Sequence, residues 1–309
     1  MMLLIKLSTI GLLIFPVMNG QDQLHIQFQD DAPISIDRNT LNVPLVDEPL
    51  MNEKRYEELV SKVQNSVYNP PQNAYINENN QIVTEKAGYK LHERRFRDLV
   101  HSFLFSKGSI NTQAPLMTLH PKVDSEILSQ IRTQLIGRYV TYFNKHNEER
   151  SQNIALATEK INNTVVFPGE VFSFNGVVGK RTKEKGYKKA PVIVKGELSE
   201  DIGGGICQVS STLFNAVDQA GVKILERYHH SKRVPYVPQG RDATVSWYGP
   251  DFTFRNAYNQ PLLIRAKVIG GQVVISIYSS DLINVKKRKV PSASQELSTE
   301  KDVDKSIEE

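Results

Sequence analysis

The stretch of sequence that organises this chain runs from Gly203 to Gly221 and reads GGGICQVSSTLFNAVDQAG. Three consecutive glycines bring no side chain for packing and cost backbone entropy, so they indicate a sharp turn or a close approach of backbone. The residues after them carry apolar side chains at helical spacing, and Gly221 is typical of a helix C-terminus. The pattern therefore predicts a helix from Cys207 to Ala220, with Cys207 at or just inside its N-terminus.

Cys207 is the one cysteine among 309 residues. At a helix N-terminus, the free N–H groups of the first turn and the helix dipole stabilise a thiolate and lower the pKa of the thiol. The same N–H groups, with those of Gly203, Gly204 and Gly205, could hold the oxyanion of a tetrahedral intermediate. The alternative is an inert, buried cysteine that begins a core helix, and the residues alone leave both readings open.

A cysteine nucleophile needs a base, which is normally a histidine. His229 and His230 follow the cysteine helix and a predicted strand at 222–227, so the chain could return them to the start of that helix. Either could also be a surface or packing residue. Asp242 could orient the imidazole, bind a substrate amine or cap a turn. We find no Gly-x-Ser-x-Gly motif, no phosphate-binding loop and no His/Cys spacing typical of a metal site, and we therefore predict neither a metal nor another cofactor.

The first twenty residues are typical of a secretory signal peptide. Lys6 precedes an apolar run at 7–18, and the sequence becomes polar after Gly20. The run is shorter than the ~20 residues that span a bilayer. We therefore expect removal after about Gly20, with an uncleaved membrane anchor as the alternative, and a secreted protein associated with the cell wall. Exported proteins usually carry cysteines in disulfide pairs, so a lone thiol there is either buried or kept for its reactivity.

The predicted fold class is α+β, with a small N-terminal domain at 21–124 and a mixed α/β domain at 125–281. Helices are predicted at 53–67, 92–105, 125–143 and 150–161, and hairpins at 73–83 and 262–278. Residues 282–309, which include four consecutive basic residues at 286–289, are predicted to form a solvated, largely disordered tail. The 38 basic and 34 acidic side chains give a net charge of +4, which is too balanced to indicate a nucleic-acid partner.

Several motifs resemble the VanW family. They include GGGICQVSSTL at 203–213, PGEVFSFN at 168–175, the step from His230 to Ser231 and the segment DATV at 242–245. The resemblance covers roughly residues 126–280. The segment before it looks like the peptidoglycan-binding-like domain that often precedes VanW domains.

The resemblance implies a role at the bacterial cell wall, and some proteins with this domain are understood to act as cysteine L,D-transpeptidases. It implies Cys207 as the nucleophile and, through the His-Ser step, His230 rather than His229 as its base, with Asp242 as the third catalytic candidate. Substrate-binding candidates on the same basis are Arg227, Ser231 and Tyr236.

The implied reaction is an acyl transfer on a peptidoglycan stem peptide. The thiolate attacks the carbonyl of the third stem residue, expels the terminal D-alanine, and a neighbouring amine resolves the acyl-thioester to a 3→3 cross-link. Water as the acceptor makes the protein a carboxypeptidase instead. The alternative from another class is a non-catalytic, peptidoglycan-binding accessory factor in wall maintenance or the glycopeptide response. The predicted partners are stem peptides, with no membrane contact except through an uncleaved signal segment.

Overall fold

A computed structural model describes residues 22–28, 32–43, 49–194 and 197–295, with no statement on the side chains at 192–199. The predicted signal peptide at 1–20 lies outside these ranges. Within them, no helix is long and apolar enough to cross a membrane. The fold is α+β, as predicted: helices and short strands alternate without a single dominating sheet.

The elements are numbered in chain order. The helices are α1 (Arg38–Leu41), α2 (Glu53–Val67), α3 (Glu93–Phe105), α4 (Ser125–Ile131), α5 (Glu148–Ile161), α6 (Phe174–Val178) and α7 (Ile206–Gln219). The strands are β1 (Gln23–Gln27), β2 (Ile34–Asp37), β3 (Tyr75–Ile76), β4 (Ile82–Val83), β5 (Gly88–Leu91), β6 (Ile110–Gln113), β7 (Leu116–Leu119), β8 (Gln134–Tyr142), β9 (Thr164–Val166), β10 (Val171–Ser173), β11 (Lys189–Val194), β12 (Glu197–Ile202), β13 (Lys223–Glu226), β14 (Thr253–Arg255), β15 (Leu262–Ile269) and β16 (Gln272–Ser279).

The chain forms two compact units. The first contains the described residues through Gln72 together with Lys86–Pro121, and the second contains Asn73–Glu85 and the chain from Lys122 onward. The β3–β4 hairpin, which the sequence analysis placed in the N-terminal domain, therefore lies in the second unit. The reason is packing, because Ala74 and Ile76 are buried in one cluster with Leu128 and Leu263.

The first unit joins two amphipathic helices to a small sheet of order β2-β1-β6. Helices α2 and α3 confirm the helices predicted at 53–67 and 92–105. Each begins at a side-chain cap, since Asn52 accepts from the Arg55 N–H and His92 accepts from the Arg95 N–H. Their apolar faces pack against Leu24 of β1, forming a core separate from that of the second unit.

The second unit is built on an antiparallel sheet of order β8-β16-β15-β9. The predicted hairpin at 262–278 is confirmed as β15 and β16, joined by Gly270 and Gly271 with φ of 57° and 85°. Helix α7 lies on β8 at Gly137, where a Cβ atom would stand 2.2 Å from the Ala216 carbonyl oxygen. Only glycine permits this close approach of helix to strand.

The helix predicted at 125–143 is wrong beyond its first two turns. Helix α4 ends at Ile131, and Gln134–Tyr142 forms β8 at an edge of the sheet. The buried residues Tyr139, Thr141 and Phe143 alternate along the chain, which is the period of a strand with one core-facing side. Leu135, which fitted the helical pattern, is 40% exposed.

The tail predicted to be solvated from residue 282 is ordered over its described part. Arg288 donates from Nη1 to the Asp218 Oδ1 at 2.7 Å, and its backbone N–H donates to the Gln219 carbonyl at 3.0 Å. Val285 and Val290 pack against the core of the second unit. Apolar side chains between the cations therefore anchor this segment, and residues 296–309 lie outside the described ranges.

Candidate active site

The glycine loop places Cys207 in the first turn of α7. Gly205 is the N-cap residue with φ of 102°, a left-handed conformation that favours glycine. The loop is anchored by hydrogen bonds to the side chain of Asn153 in α5, which is fully buried. The Asn153 side chain donates to the carbonyl oxygens of Lys188 and Gly204 at 3.0 Å each and accepts from the Lys188 N–H at 2.8 Å. The helix start predicted from the sequence is confirmed, and Cys207 is its second residue.

One face of α7 is polar although it is buried, and it binds an extended segment at 241–245. The Asn215 side chain donates to the Arg241 carbonyl at 2.8 Å, and the Ser211 hydroxyl accepts from the Ala243 N–H at 2.8 Å. The Val245 N–H then donates to the Cys207 sulfur at 3.5 Å. Positions 207, 211 and 215 share one helix face, so the segment runs antiparallel to α7 and ends beside the thiol.

A second pairing aligns the histidine with the aspartate. Tyr228 and Thr244 form an antiparallel bridge. In that register His230 stands opposite Asp242, because positions that sum to the same number face each other across antiparallel strands. The His230 N–H and Nδ1 both lie at the Asp242 Oδ2, at 2.6 and 2.7 Å.

The other aspartate oxygen is taken by the neighbouring histidine. His229 Nδ1 lies 2.9 Å from the Asp242 Oδ1, and its Nε2 accepts from the Arg227 guanidinium. The two histidines differ in exposure, with side chains that are 50% and 7% exposed for His229 and His230. His230 is therefore the histidine enclosed in the site, and His229 is a surface contact of the same carboxylate.

The Cys207 thiol completes the arrangement. Its side chain is half-buried, and the thiol interacts with the His230 imidazole so that each group shifts the pKa of the other. Because Nδ1 of that ring is bonded to Asp242, Nε2 is the nitrogen left to interact with the sulfur. Further contacts come from the Thr244 Oγ1 at 3.7 Å and the Val245 carbonyl at 3.5 Å. Three candidates named from the sequence, Cys207, His230 and Asp242, are thus brought together, in the spatial order that a nucleophile, a base and an orienting acid would require.

The charges of these groups support one another. Burial raises the pKa of the Cys207 thiol, but the His230 hydrogen bond and positive charge outweigh it, and the net pKa lies below that of an ordinary thiol. Burial lowers the pKa of His230, whereas its bonds to Asp242 and Cys207 raise it to about 9. Burial raises the pKa of Asp242, but bonds from both histidines hold it well below its usual range. These shifts favour a thiolate beside an imidazolium more than an isolated thiol and imidazole would.

Some amides of the predicted oxyanion loop are already used within the fold. Gly203 donates its N–H to the Lys188 carbonyl at 3.0 Å, and Gly204 donates to the Asp201 carbonyl at 3.4 Å. Across the described residues 203–208, the N–H groups without a protein acceptor are those of Gly205 and Cys207. If an oxyanion binds here, these two amides are its donors.

The predicted substrate-binding residues lie in three different settings. Arg227 stacks over the Phe214 ring at 4.3 Å and donates to the Gly240 carbonyl at 3.3 Å. Ser231 is exposed next to the histidine pair. Tyr236 is 8% exposed and belongs to the core cluster of the second unit. Of the three, Ser231 offers its side chain to solvent beside the site.

Sequence reasoning missed the residues that position the site. Thr244 and Val245 contact the sulfur, Ser211 and Asn215 hold their segment, and Asn153 fixes the loop. The available signal was a run of small polar residues on an otherwise apolar helix, which indicates buried hydrogen bonds to another segment. No group of three or more metal-ligating side chains occurs in the described ranges.

Comparisons with known proteins give the family of this chain. Residues 149–278 match the family described as VanW like protein. The chain is 52% identical over 273 residues to the uncharacterized protein YoaR of Bacillus subtilis (strain 168), which is 88% of this chain and 90% of YoaR. The chain belongs to the VanW family.

A further VanW relative is the Vancomycin B-type resistance protein VanW of Enterococcus faecalis (strain ATCC 700802 / V583). It is 32% identical over 116 residues, which cover 36% of this chain and 42% of that protein. No solved structure matches the chain. The VanW match contains Cys207, His230 and Asp242, whereas β8, on which the cysteine helix packs, precedes it. The family resemblance seen in the motifs is confirmed.

Proposed function

We propose that this protein acts on the peptidoglycan of the cell wall as a cysteine L,D-transpeptidase. Membership of the VanW family suggests a role related to the cell wall or to vancomycin resistance. The observation that carries the finer proposal is the Cys207–His230–Asp242 arrangement at the start of a buried helix. Non-catalytic binding would not require a cysteine with a lowered pKa that is paired with an enclosed histidine.

The first half-reaction uses the state that the site favours. The Cys207 thiolate attacks the carbonyl carbon of the third stem residue, and the amides of Gly205 and Cys207 hold the resulting oxyanion. As the tetrahedral intermediate collapses, the bond to the terminal D-alanine nitrogen breaks. The His230 imidazolium donates its Nε2 proton to that nitrogen, so that D-alanine leaves as a neutral amine and the acyl group remains as a thioester.

The second half-reaction returns the site to its starting state. An amine from a neighbouring stem peptide attacks the thioester carbonyl and gives up a proton to the neutral His230 imidazole. The carbon–sulfur bond then breaks, which restores the thiolate beside the imidazolium and leaves an amide cross-link. Asp242 keeps Nδ1 protonated through both steps, so that Nε2 is always the nitrogen that exchanges the proton.

The proposed substrate requires a location outside the cytoplasmic membrane. The basic and apolar pattern of residues 1–20 supports export. We propose that the mature protein begins after about Gly20 and remains at the wall. N-terminal sequencing of the protein recovered from the cell envelope would test this, because an uncleaved anchor would leave Met1 or Met2 at the terminus.

The decisive experiment is incubation of purified protein lacking residues 1–20 with disaccharide-tetrapeptide muropeptides, followed by mass spectrometry. Wild type should release D-alanine and form dimers, and Cys207→Ala should do neither. Release without dimers would assign water as the acceptor and make the protein a carboxypeptidase. Intact tetrapeptide with folded wild type would contradict catalysis and favour a peptidoglycan-binding accessory factor.

A further inference from the structure

Arg181 is a partly buried cation next to the glycine loop that precedes Cys207. Its side-chain stem lies 3.5 Å from the position that a Cβ atom would take on Gly203. One guanidinium nitrogen, Nη2, donates to the Asn175 Oδ1 at 2.8 Å, whereas Nη1 is buried and has no hydrogen-bond partner in the described part of the chain. A buried guanidinium N–H that is left unpaired costs about 1–3 kcal/mol or more, which makes an unused donor unusual.

Among the described residues, no carboxylate forms an ion pair with the Arg181 guanidinium. Asp251 is near enough to interact with its charge. The carboxylate of Asp251 is occupied elsewhere, because it accepts from the N–H groups of Asn175 and Phe252 and from the Ser173 hydroxyl. No carboxylate of the described residues is hydrogen-bonded to the guanidinium, and its positive charge can attract an anion that comes from outside the protein.

A second unpaired polar atom lies in the same region. Tyr187 is 2% exposed, and its hydroxyl oxygen is buried without a hydrogen-bond partner among the described residues. Burial raises the pKa of Tyr187, and the Arg181 charge lowers it, which indicates that the two groups interact. Two unsatisfied donors that share one region are typical of a site whose partner is a ligand.

The location of this pair relative to the nucleophile suggests what the ligand is. Arg181 interacts electrostatically with Cys207 but forms no hydrogen bond to its sulfur in the described structure. The free carboxylate of a C-terminal residue lies one residue, about 3.5 Å, beyond the carbonyl that precedes it. The residue that follows a carbonyl bound at the sulfur is therefore close enough to reach a cation whose stem lies against the adjacent glycine loop.

We propose that Arg181, assisted by the Tyr187 hydroxyl, binds the free α-carboxylate of the C-terminal residue that Cys207 displaces. This inference rests on the proposed function for the identity of the peptide, but the anion site itself does not. It makes the enzyme selective for donors that end one residue after the scissile carbonyl. A guanidinium suits this ligand because its planar donors match a carboxylate.

Both donor atoms, Nη1 of Arg181 and the hydroxyl oxygen of Tyr187, are buried, and this determines which anion can be used to probe the site. A ligand reaches Nη1 only when the covering side chains give way, so a small anion is a better probe than a peptide. Iodoacetate and iodoacetamide alkylate a thiolate by the same reaction, in which a sulfur–carbon bond forms and iodide leaves. They differ in charge, since only iodoacetate carries a carboxylate. The ratio of their rates cancels the thiolate fraction and therefore reports the anion preference alone.

The experiment measures this ratio for the single cysteine of the full-length protein and of four variants. Arg181→Gln should lower the iodoacetate-to-iodoacetamide ratio by about 10-fold, the lower end of the effect of a charge-assisted hydrogen bond. Arg181→Lys should retain part of the preference, because the charge remains. Lys180→Gln is the matched control, since Lys180 is an exposed cation one residue away whose contact is the Tyr248 ring.

The other outcomes overturn the proposal. An unchanged ratio in Arg181→Gln would show that the guanidinium does not contact the anion, and an equal fall in Lys180→Gln would show general electrostatic attraction. Tyr187→Phe keeps the ring in the core and should lower the ratio without lowering the thermal unfolding temperature. Circular dichroism of each variant establishes that it is folded.

Turnover separates this inference from the proposed function. If wild type does not process muropeptides but its alkylation preference depends on Arg181, the anion site stands and the transpeptidase proposal fails. If wild type processes tetrapeptides with a free or an amidated terminal carboxylate equally well, the transpeptidase proposal stands and the carboxylate site fails.

Discussion

The role of Asp242 can be tested by replacing it with asparagine. The carboxylate accepts from the His230 backbone N–H and contacts the Nδ1 of the same ring, so it both orients the imidazole and favours its protonated form. An amide of the same shape keeps one oxygen acceptor but loses the negative charge. We expect Asp242→Asn to fold and to hold a smaller fraction of Cys207 as thiolate at pH 6 than wild type does.

The size of the effect follows from the charge coupling. The rise in the pKa of His230 from 6.5 to about 9 corresponds to roughly 3 kcal/mol in favour of the imidazolium. That preference is shared between Asp242 and Cys207, which are both bonded to the ring. If the carboxylate supplies about half, its loss removes roughly 1.5 kcal/mol, which is about a 10-fold decrease in the thiolate population at pH 6.

The assay is the second-order rate of iodoacetamide alkylation between pH 5 and 10, read by intact mass. Only one cysteine is present, so a single product reports Cys207. Wild type should react at a nearly constant rate down to the lowered pKa of the thiol, whereas the profile of Asp242→Asn should lie about one pH unit higher, because roughly 1.5 kcal/mol corresponds to about one pKa unit. The two rates should differ about 10-fold at the acidic end of the range and converge near pH 9.

A second aspartate of α7 provides the control. Asp218 is likewise paired with arginines, Arg241 and Arg288, at 2.7 Å each, but it is three helical turns from the thiol. Asp218→Asn should leave the alkylation profile unchanged. A constant ratio of wild type to Asp242→Asn from pH 6 to pH 9 would refute the reasoning, because it would mean that the carboxylate does not act through the protonation of His230.

Three further predictions concern the loop and the histidines. Gly204→Ala should lower the free energy of unfolding, measured by urea titration, by about 1–3 kcal/mol. The reason is that its Cβ would stand 2.5 Å from the Ala190 carbonyl oxygen. The control Gly249→Ala, whose Cβ would have no side-chain or backbone atom closer than 3.6 Å, should leave the free energy of unfolding unchanged. His230→Gln should abolish release of D-alanine from muropeptides and His229→Ala should leave it within about 3-fold, since only the first ring is enclosed beside the sulfur. Because the pKa of His230 is raised, the protonated imidazolium stabilises the folded protein fully below about pH 6.5, and this contribution is lost as the pH rises through about 9. The difference in Tm between wild type and His230→Gln should therefore shrink over that interval.

The fold could be predicted where one local pattern dominates. Helix α7 follows from apolar side chains at helical spacing between two glycine signals, and the hairpin of β15 and β16 follows from its two-glycine turn. Prediction failed for β8 because its start continues the apolar spacing of α4. The distinction depends on long-range pairing with β16, which a single sequence does not contain.

The catalytic candidates could be predicted in part, because the chain has a single cysteine and two histidines in one short segment after its helix. The choice of His230 over His229 came from the family resemblance and not from the residues alone. Arg181 and Tyr187 escaped prediction, because their interest lies in hydrogen bonds that they do not make within the protein. Asn153 escaped because a buried asparagine cannot be distinguished by sequence from an exposed one.

The arrangement also explains which of the two adjacent histidines lies beside Cys207. Consecutive residues of an extended segment point to opposite sides, so only one of the pair can point toward the helix start. The bridge between Tyr228 and Thr244 fixes that register and selects His230. A slip by one residue would exchange the two rings and place the exposed one beside the sulfur. The bonds from Ser211 to Ala243 and from Asn215 to Arg241 oppose such a slip. The buried polar face of α7 therefore contributes to the proposed chemistry by setting which histidine Cys207 meets.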